Sequence, residues 1–147
     1  MISNIQELYQ KIIVNHAKYP IGRGILPQYN YHAKLKNPDC GDDIEVYLKV
    51  MDQHLEQISF TGQGCIISQA SASMMVDALS GKRILEAQQL MQNFQNLILG
   101  KDYDESQLGD LIAFATLNQF PTRVRCGMLA WHAMADGLNQ GGISFGK

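Results

Sequence analysis

The sequence predicts an α+β fold, with a small three-stranded antiparallel sheet and helices packed mainly on one face. Two observations predict it. Apolar and polar residues alternate over much of 31–61, as in half-buried strands, and apolar residues recur at helical spacing before residue 20 and after residue 65. The 147 residues are expected to form a single domain (1–147), because a chain of this length can bury roughly 70% of its unfolded surface.

The predicted sheet follows one helix and one loop. Residues 3–18 carry an apolar helix face, and the prolines and glycines of residues 20–27 then interrupt regular structure. Residues 31–36 alternate weakly, as an edge strand does, and residues 44–50 alternate clearly. Residues 55–61 complete a hairpin with the second strand.

Beyond Gly64, the spacing of apolar residues is typical of helices. The sequence predicts helices over 65–79, 84–99 and 106–117, and a last helix capped by Thr122 that reaches about Leu138. Gly81 and Gly100 are placed as stops for the first two of these. The tail 139–147 contains three glycines and is expected to fray.

Charge and hydropathy exclude several classes of partner. The net charge is −2 and the pI near 6.0, so nothing suggests binding to nucleic acid or to an anionic membrane. No stretch approaches the roughly 18 apolar residues that span a bilayer, and the first residues do not resemble a secretory signal. The sequence therefore predicts a cytoplasmic protein.

Each of the three cysteines lies at a junction between elements. Cys40 stands in a turn-rich stretch before a strand, Cys65 where the sheet gives way to a helix, and Cys126 near the start of the last helix. Cys40 and Asp42 are separated by one glycine, so a thiolate and a carboxylate can face one point. Three thiolates and one carboxylate suit tetrahedral Zn²⁺, and Arg125 could offset part of their charge. Spacing alone leaves a metal site and three unrelated cysteines equally open.

The residues around the cysteines resemble the U-type iron–sulfur assembly family, which has a SufE/NifU-like fold. The motifs that carry the resemblance span the chain and include every cysteine: Leu8-Tyr9, Asn37-Pro38-x-Cys40-Gly41-Asp42, Gly62-x-Gly64-Cys65-x-Ile67-Ser68, Gly81-Lys82 and Arg123-Val124-x-Cys126. The similarity is greatest to the SufU-like branch. Unlike the IscU-like branch, this chain has Arg125 where a histidine precedes the third cysteine, and Phe120-Pro121-Thr122-Arg123-Val124 replaces the chaperone motif Leu-Pro-Pro-Val-Lys.

The resemblance implies a zinc-dependent sulfur-transfer protein. It implies that Cys40, Asp42, Cys65 and Cys126 hold Zn²⁺, and that the protein accepts persulfide sulfur from a SufS-like cysteine desulfurase, with downstream SUF assembly proteins as further partners. Because Cys40 lies on a turn flanked by proline and glycine, whereas Cys65 and Cys126 lie at helix starts, we expect Cys40 to leave the metal and accept the sulfur. The alternative is a scaffold on which the same ligands hold a transient [2Fe–2S] cluster. Purely structural zinc also stays open, as does the question of whether the protein counts as an enzyme.

Overall fold

The computed structural model describes residues 2–38 and 40–146, with side chains from residue 5 onward. It confirms the α+β class. The elements, in chain order, are α1 (Ile2–Lys18), β1 (Tyr31–Asn37), β2 (Asp42–Met51), β3 (His54–Gln63), α2 (Ile66–Leu79), α3 (Ile84–Ile98), three short 3₁₀ segments (Glu105–Gln107, Gly109–Phe114 and Leu117–Gln119) and α4 (Pro121–Gln140).

The sheet is an antiparallel meander in the order β1-β2-β3. Successive side chains of a strand point to opposite faces, so the fully buried Ile44, Val46 and Leu48 of β2 define one inner face. Asp42 begins β2 with the same parity, and it pairs with Asn37 at the end of β1. The register therefore directs two polar side chains toward the helices at this end of the sheet.

The helices cover the inner face. α4 packs against β1 and β2, while α2 packs between α1 and α4. Gly137 permits the close approach of α4 to β1, because a Cβ there would lie 3.1 Å from the carbonyl carbon of His32. Ser71 ties α2 to α4, since its hydroxyl donates to the Gly127 carbonyl and accepts the indole N–H of Trp131 at 3.0 Å. The starts of α2 and α4 are thereby held side by side.

The predicted helix over 106–117 is wrong. The segment consists of 3₁₀ turns with backbone hydrogen bonds three residues apart, such as the N–H of Leu108 to the carbonyl of Glu105. Gly109 has a φ of +53°, a left-handed conformation that an α-helix cannot pass through. Leu111 and Phe114 are buried one 3₁₀ turn apart, so helical spacing is preserved without an α-helix.

The start and end of α4 also differ from expectation. The helix begins with Pro121 at its first turn and has Phe120 as N-cap, so Thr122 is not its cap. After α4 ends at Gln140, Phe145 is bonded back to the helix. The Asn139 side-chain amide donates to the Phe145 carbonyl, and the Asn139 side-chain oxygen accepts the N–H of Phe145. The Phe145 side chain is buried. These contacts tie Phe145 to the end of α4, while the fraying of residues 139–147 stays a prediction. Within the described residues, no helix has the length and apolar character needed to cross a membrane.

Candidate metal centre

The turn between β1 and β2 presents Cys40. The backbone N–H of Cys40 donates to the carbonyl of Asn37 at 3.2 Å, which folds the chain back immediately after the strand. Gly41 has a φ of +70°, a conformation that glycine adopts without steric cost and that returns the chain to β2 at Asp42. The Cys40 side chain is half-buried, and its Sγ lies 2.8 Å from the Sγ of Cys126.

Asp42 is held by a preformed polar cradle. The carboxylate is 1% exposed, and its Oδ1 accepts the backbone N–H of Cys65 at 2.8 Å and the hydroxyl of Ser68 at 3.2 Å. Gly64 provides the space, because a Cβ there would lie 2.4 Å from Oδ1. The other oxygen, Oδ2, lies 3.9 Å from the Sγ of Cys65. Oδ1 is therefore occupied by donors, while Oδ2 faces a thiol.

Cys65 is the N-cap residue of α2. Its carbonyl accepts the N–H of Gln69 at 3.1 Å, which is the first bond of the helix, and its side chain is half-buried. A side chain in this position is near the free N–H groups and the positive end of the helix dipole. The helix start therefore fixes the place of this sulfur.

Cys126 is the innermost sulfur of the site. It lies in the second turn of α4 and is 1% exposed. Burial raises the pKa of the Cys126 thiol well above its ordinary value, and contacts with Cys40, Asp42 and Cys65 raise it further. Its Sγ also accepts a hydrogen bond of 3.6 Å from the side-chain amide of Asn37. A buried thiol of this kind loses its proton readily only when a cation compensates the charge.

The donor set fits a thiophilic metal ion. One ligand atom each from Cys40, Asp42 and Cys126 lies within 4.8 Å of the others, and Cys65 adjoins Asp42. Donors bound to one zinc at about 2.3 Å are roughly 3.8 Å apart in a tetrahedron, so small movements would bring these atoms onto one ion. Thiolate-rich sets select zinc or iron over calcium and magnesium. The structure thus brings the four predicted ligands together, while their binding of a metal stays a prediction.

Arg125 differs from the four candidate ligands in its exposure to solvent. Its side chain is exposed on α4, where water screens the charge. Its predicted role in offsetting the charge of the site stays a prediction.

Two contacts to the site were not expected from the sequence: the Asn37 amide on Cys126 and the Ser68 hydroxyl on Asp42. A partial signal for Ser68 existed, since it lies three residues after Cys65 and therefore one turn along the same helix. The register that turns Asn37 inward could be derived only once the pairing of β1 with β2 was known.

A hairpin turn and the N-terminal ends of two helices thus gather three thiols and a buried carboxylate beside a small sheet, which defines an α+β fold carrying a donor set of the kind that binds thiophilic metal ions. The chain belongs to the family described as the NifU-like N terminal domain, whose model matches residues 8–139.

The relatives that this chain matches are named for two different functions, sulfur transfer and scaffolding. The chain is 38% identical over 137 residues to the zinc-dependent sulfurtransferase SufU of Bacillus subtilis (strain 168), covering 92% of each chain. It is 34% identical over 133 residues to the iron–sulfur cluster assembly scaffold protein IscU of Thermotoga maritima, covering 90% of this chain and 94% of the relative.

A solved structure from Fervidobacterium islandicum AW-1, described as a candidate iron–sulfur cluster assembly scaffold protein for the SUF system, superposes with a TM-score of 0.80. It is 32% identical in sequence, and the match covers 87% of this chain and 94% of that one. The sulfurtransferase and the scaffolds therefore share this fold.

Proposed function

We propose that this protein is a zinc-dependent sulfur-transfer protein of iron–sulfur cluster assembly, which accepts persulfide sulfur from a SUF-type cysteine desulfurase on Cys40. The observation that supports it most directly is the convergence of Cys40, Asp42 and Cys126 beside Cys65. The sequence is similar over nearly its whole length to a protein named a zinc-dependent sulfurtransferase. Bound zinc would keep the thiols deprotonated without any redox change of its own.

Cys40 is the sulfur best placed to react. It stands half-buried on a short turn that contains Gly41, whose φ is +70°, whereas Cys126 is buried within α4. Cys65 is fixed more firmly than Cys40, because it caps α2 and its N–H bonds to the buried Asp42, whereas the N–H of Cys40 bonds to a carbonyl of its own turn. Cys40 can therefore move away from the other ligands with the least rearrangement.

The transfer is a thiol–persulfide exchange. The Cys40 thiolate attacks the terminal sulfur of the persulfide on the desulfurase cysteine, forming a new S–S bond at Cys40. The S–S bond in the desulfurase breaks, and the desulfurase cysteine leaves as a thiolate. The terminal sulfur keeps its proton throughout, so atoms and electrons balance without an added oxidant or reductant.

The test measures desulfurase turnover with cysteine as substrate, together with the position of the transferred sulfur. Zinc-loaded wild-type protein is expected to stimulate turnover, and the Cys40→Ala variant is expected to abolish the stimulation. Mass spectrometry should then find one added sulfur atom on Cys40 of the wild type. The Ser80→Ala variant, altered at the far end of α2, serves as a control that should stimulate as well as wild type. Absence of stimulation by the zinc-loaded wild type refutes the proposal.

The second candidate is an iron–sulfur scaffold, favoured by relatives named as scaffold proteins. The same three thiols and one carboxylate could hold a [2Fe–2S] cluster. Anaerobic incubation with ferrous iron and sulfide distinguishes the two functions. A stable coloured cluster in a protein that leaves desulfurase turnover unchanged supports the scaffold.

A further inference from the structure

Asn37 makes a contact that the sulfur-transfer scheme does not use. Its side chain is 5% exposed, and its Nδ2 donates to the Sγ of Cys126 at 3.6 Å. Its carbonyl accepts the N–H of Cys40 at 3.2 Å, and its pairing with Asp42 fixes it in the sheet. One residue therefore contacts Cys126 through its side chain and Cys40 through its backbone.

The two contacts affect the two cysteines differently. An amide N–H that points at sulfur withdraws electron density from the thiolate, which stabilises the charged form and lowers its nucleophilicity. The sulfur of Cys126 receives this bond and is also buried at 1% exposure. The backbone bond at Cys40 closes the turn, and its donor is the Cys40 amide and not the thiol.

Asn37 is also held rigidly enough to direct its amide. It is the last residue of β1, with its side chain on the inner face, and Asp42 opposite it is secured by Cys65 and Ser68. A donor fixed by a sheet pair keeps its direction when the neighbouring turn moves. Movement of Cys40 about Gly41 therefore leaves the bond from Asn37 to Cys126 in place.

We propose that Asn37 is a positioning residue that retains Cys126 on the metal and thereby leaves Cys40 as the sulfur that is released. This inference rests on the proposed function, because it requires that the cluster bind zinc. It adds a determinant of which cysteine reacts. Ligands in metal sites are oriented by such outer partners, whose loss typically lowers metal affinity 10–100-fold.

The test compares Asn37→Leu, which removes the amide at similar volume, with Asn37→Asp, which keeps the shape and removes the N–H donor. The matched control is Asn30→Asp at the other end of β1, where the amide donates to the Val50 carbonyl at 2.9 Å. Thermal unfolding of each metal-free variant verifies that it is folded. Either variant at Asn37 that folds is sufficient for the comparison.

Two readouts report on Cys126 itself. Zinc-loaded protein is treated with a limiting amount of iodoacetamide, and mass spectrometry gives the ratio of labelled Cys126 to labelled Cys40. We expect the variants at Asn37 to raise this ratio about tenfold, the lower end of outer-partner effects. In cobalt-substituted protein, the sulfur-to-cobalt charge-transfer band should move to longer wavelength, because a thiolate without its N–H donor is easier to oxidise. Asn30→Asp should match wild type in both.

The outcomes separate this inference from the function on which it rests. If wild-type protein binds zinc but a folded variant at Asn37 retains both the labelling ratio and the cobalt band, only the role of Asn37 is refuted. If the wild type binds neither zinc nor cobalt, the proposed function fails and the role of Asn37 fails with it. A raised ratio with a shifted band supports the proposal.

Discussion

Replacing Ser68 with alanine tests whether the cradle of Asp42 contributes to metal binding. The Ser68 hydroxyl donates one of two hydrogen bonds to Oδ1, at 3.2 Å, and the backbone N–H of Cys65 donates the other, at 2.8 Å. A hydrogen bond to a charged group contributes about 1.5–3 kcal/mol. The hydroxyl has a single proton, and the Cys65 carbonyl at 3.1 Å also accepts it. We therefore expect the lower end, about 1.5 kcal/mol, which is a loss of zinc affinity of slightly more than tenfold.

The assay is competition for zinc between the protein and a chromophoric chelator at fixed pH and ionic strength. The control is Ser80→Ala in the same helix, because its hydroxyl donates only to the Val76 carbonyl at 2.6 Å and lies away from the sulfurs. Its zinc affinity should equal that of wild type. If Ser68→Ala binds zinc as tightly as wild type while both serine variants remain folded, Asp42 does not need its cradle and the reasoning is wrong.

Three further changes test separate parts of the structure. Gly64→Ala places a Cβ 2.4 Å from Oδ1 of Asp42, so chelator competition should show weaker zinc binding, and an unchanged affinity would mean that the carboxylate can shift freely. Phe145→Ala should lower the free energy of unfolding in urea by about 3–5 kcal/mol, as for a buried aromatic residue; a loss below about 1 kcal/mol would indicate that the tail frays. His132 is exposed on α4, and partial desolvation still lowers its pKa despite the opposing attraction of Asp136. Stability should therefore fall only slightly as the unfolded chain takes up the proton below about pH 6.5, because solvent screens an exposed group. His132→Gln should therefore reduce the loss of melting temperature between pH 7 and pH 5, and an equal loss in both proteins would contradict this.

The strands and long helices could be predicted because their patterns are local. The alternation around Ile44, Val46 and Leu48 marks a half-buried strand in any tertiary context, and these residues are the buried face of β2. The 3₁₀ region could not be predicted in the same way. Burial three residues apart is compatible with both helix types. The left-handed φ of Gly109, which interrupts the segment, cannot be seen in the sequence.

The residues of the candidate site also differ in how far the sequence could predict their roles. The cysteines and Asp42 could be identified as candidate ligands because their residue types and their surrounding motifs can be recognised in the sequence. The amide of Asn37 and the hydroxyl of Ser68 could not be assigned to particular ligands, since each contact depends on strand register or on the meeting of a helix with a sheet. Polar residues beside a metal site therefore receive their roles from tertiary geometry, even when they stand within a recognisable motif.

The distribution of burial across the site bears on how a four-ligand centre could also react. Cys126 and Asp42 are each 1% exposed, and they receive hydrogen bonds from Asn37 and from Ser68. Cys40 is half-buried on a turn. If every donor of the site were buried, neither thiol–persulfide exchange nor dissociation of a ligand would be easy. If every donor were exposed, a bound metal ion would dissociate readily. In the proposed sulfur transfer, Asp42 and Cys126 would hold a bound metal ion while the more accessible Cys40 becomes available to accept sulfur.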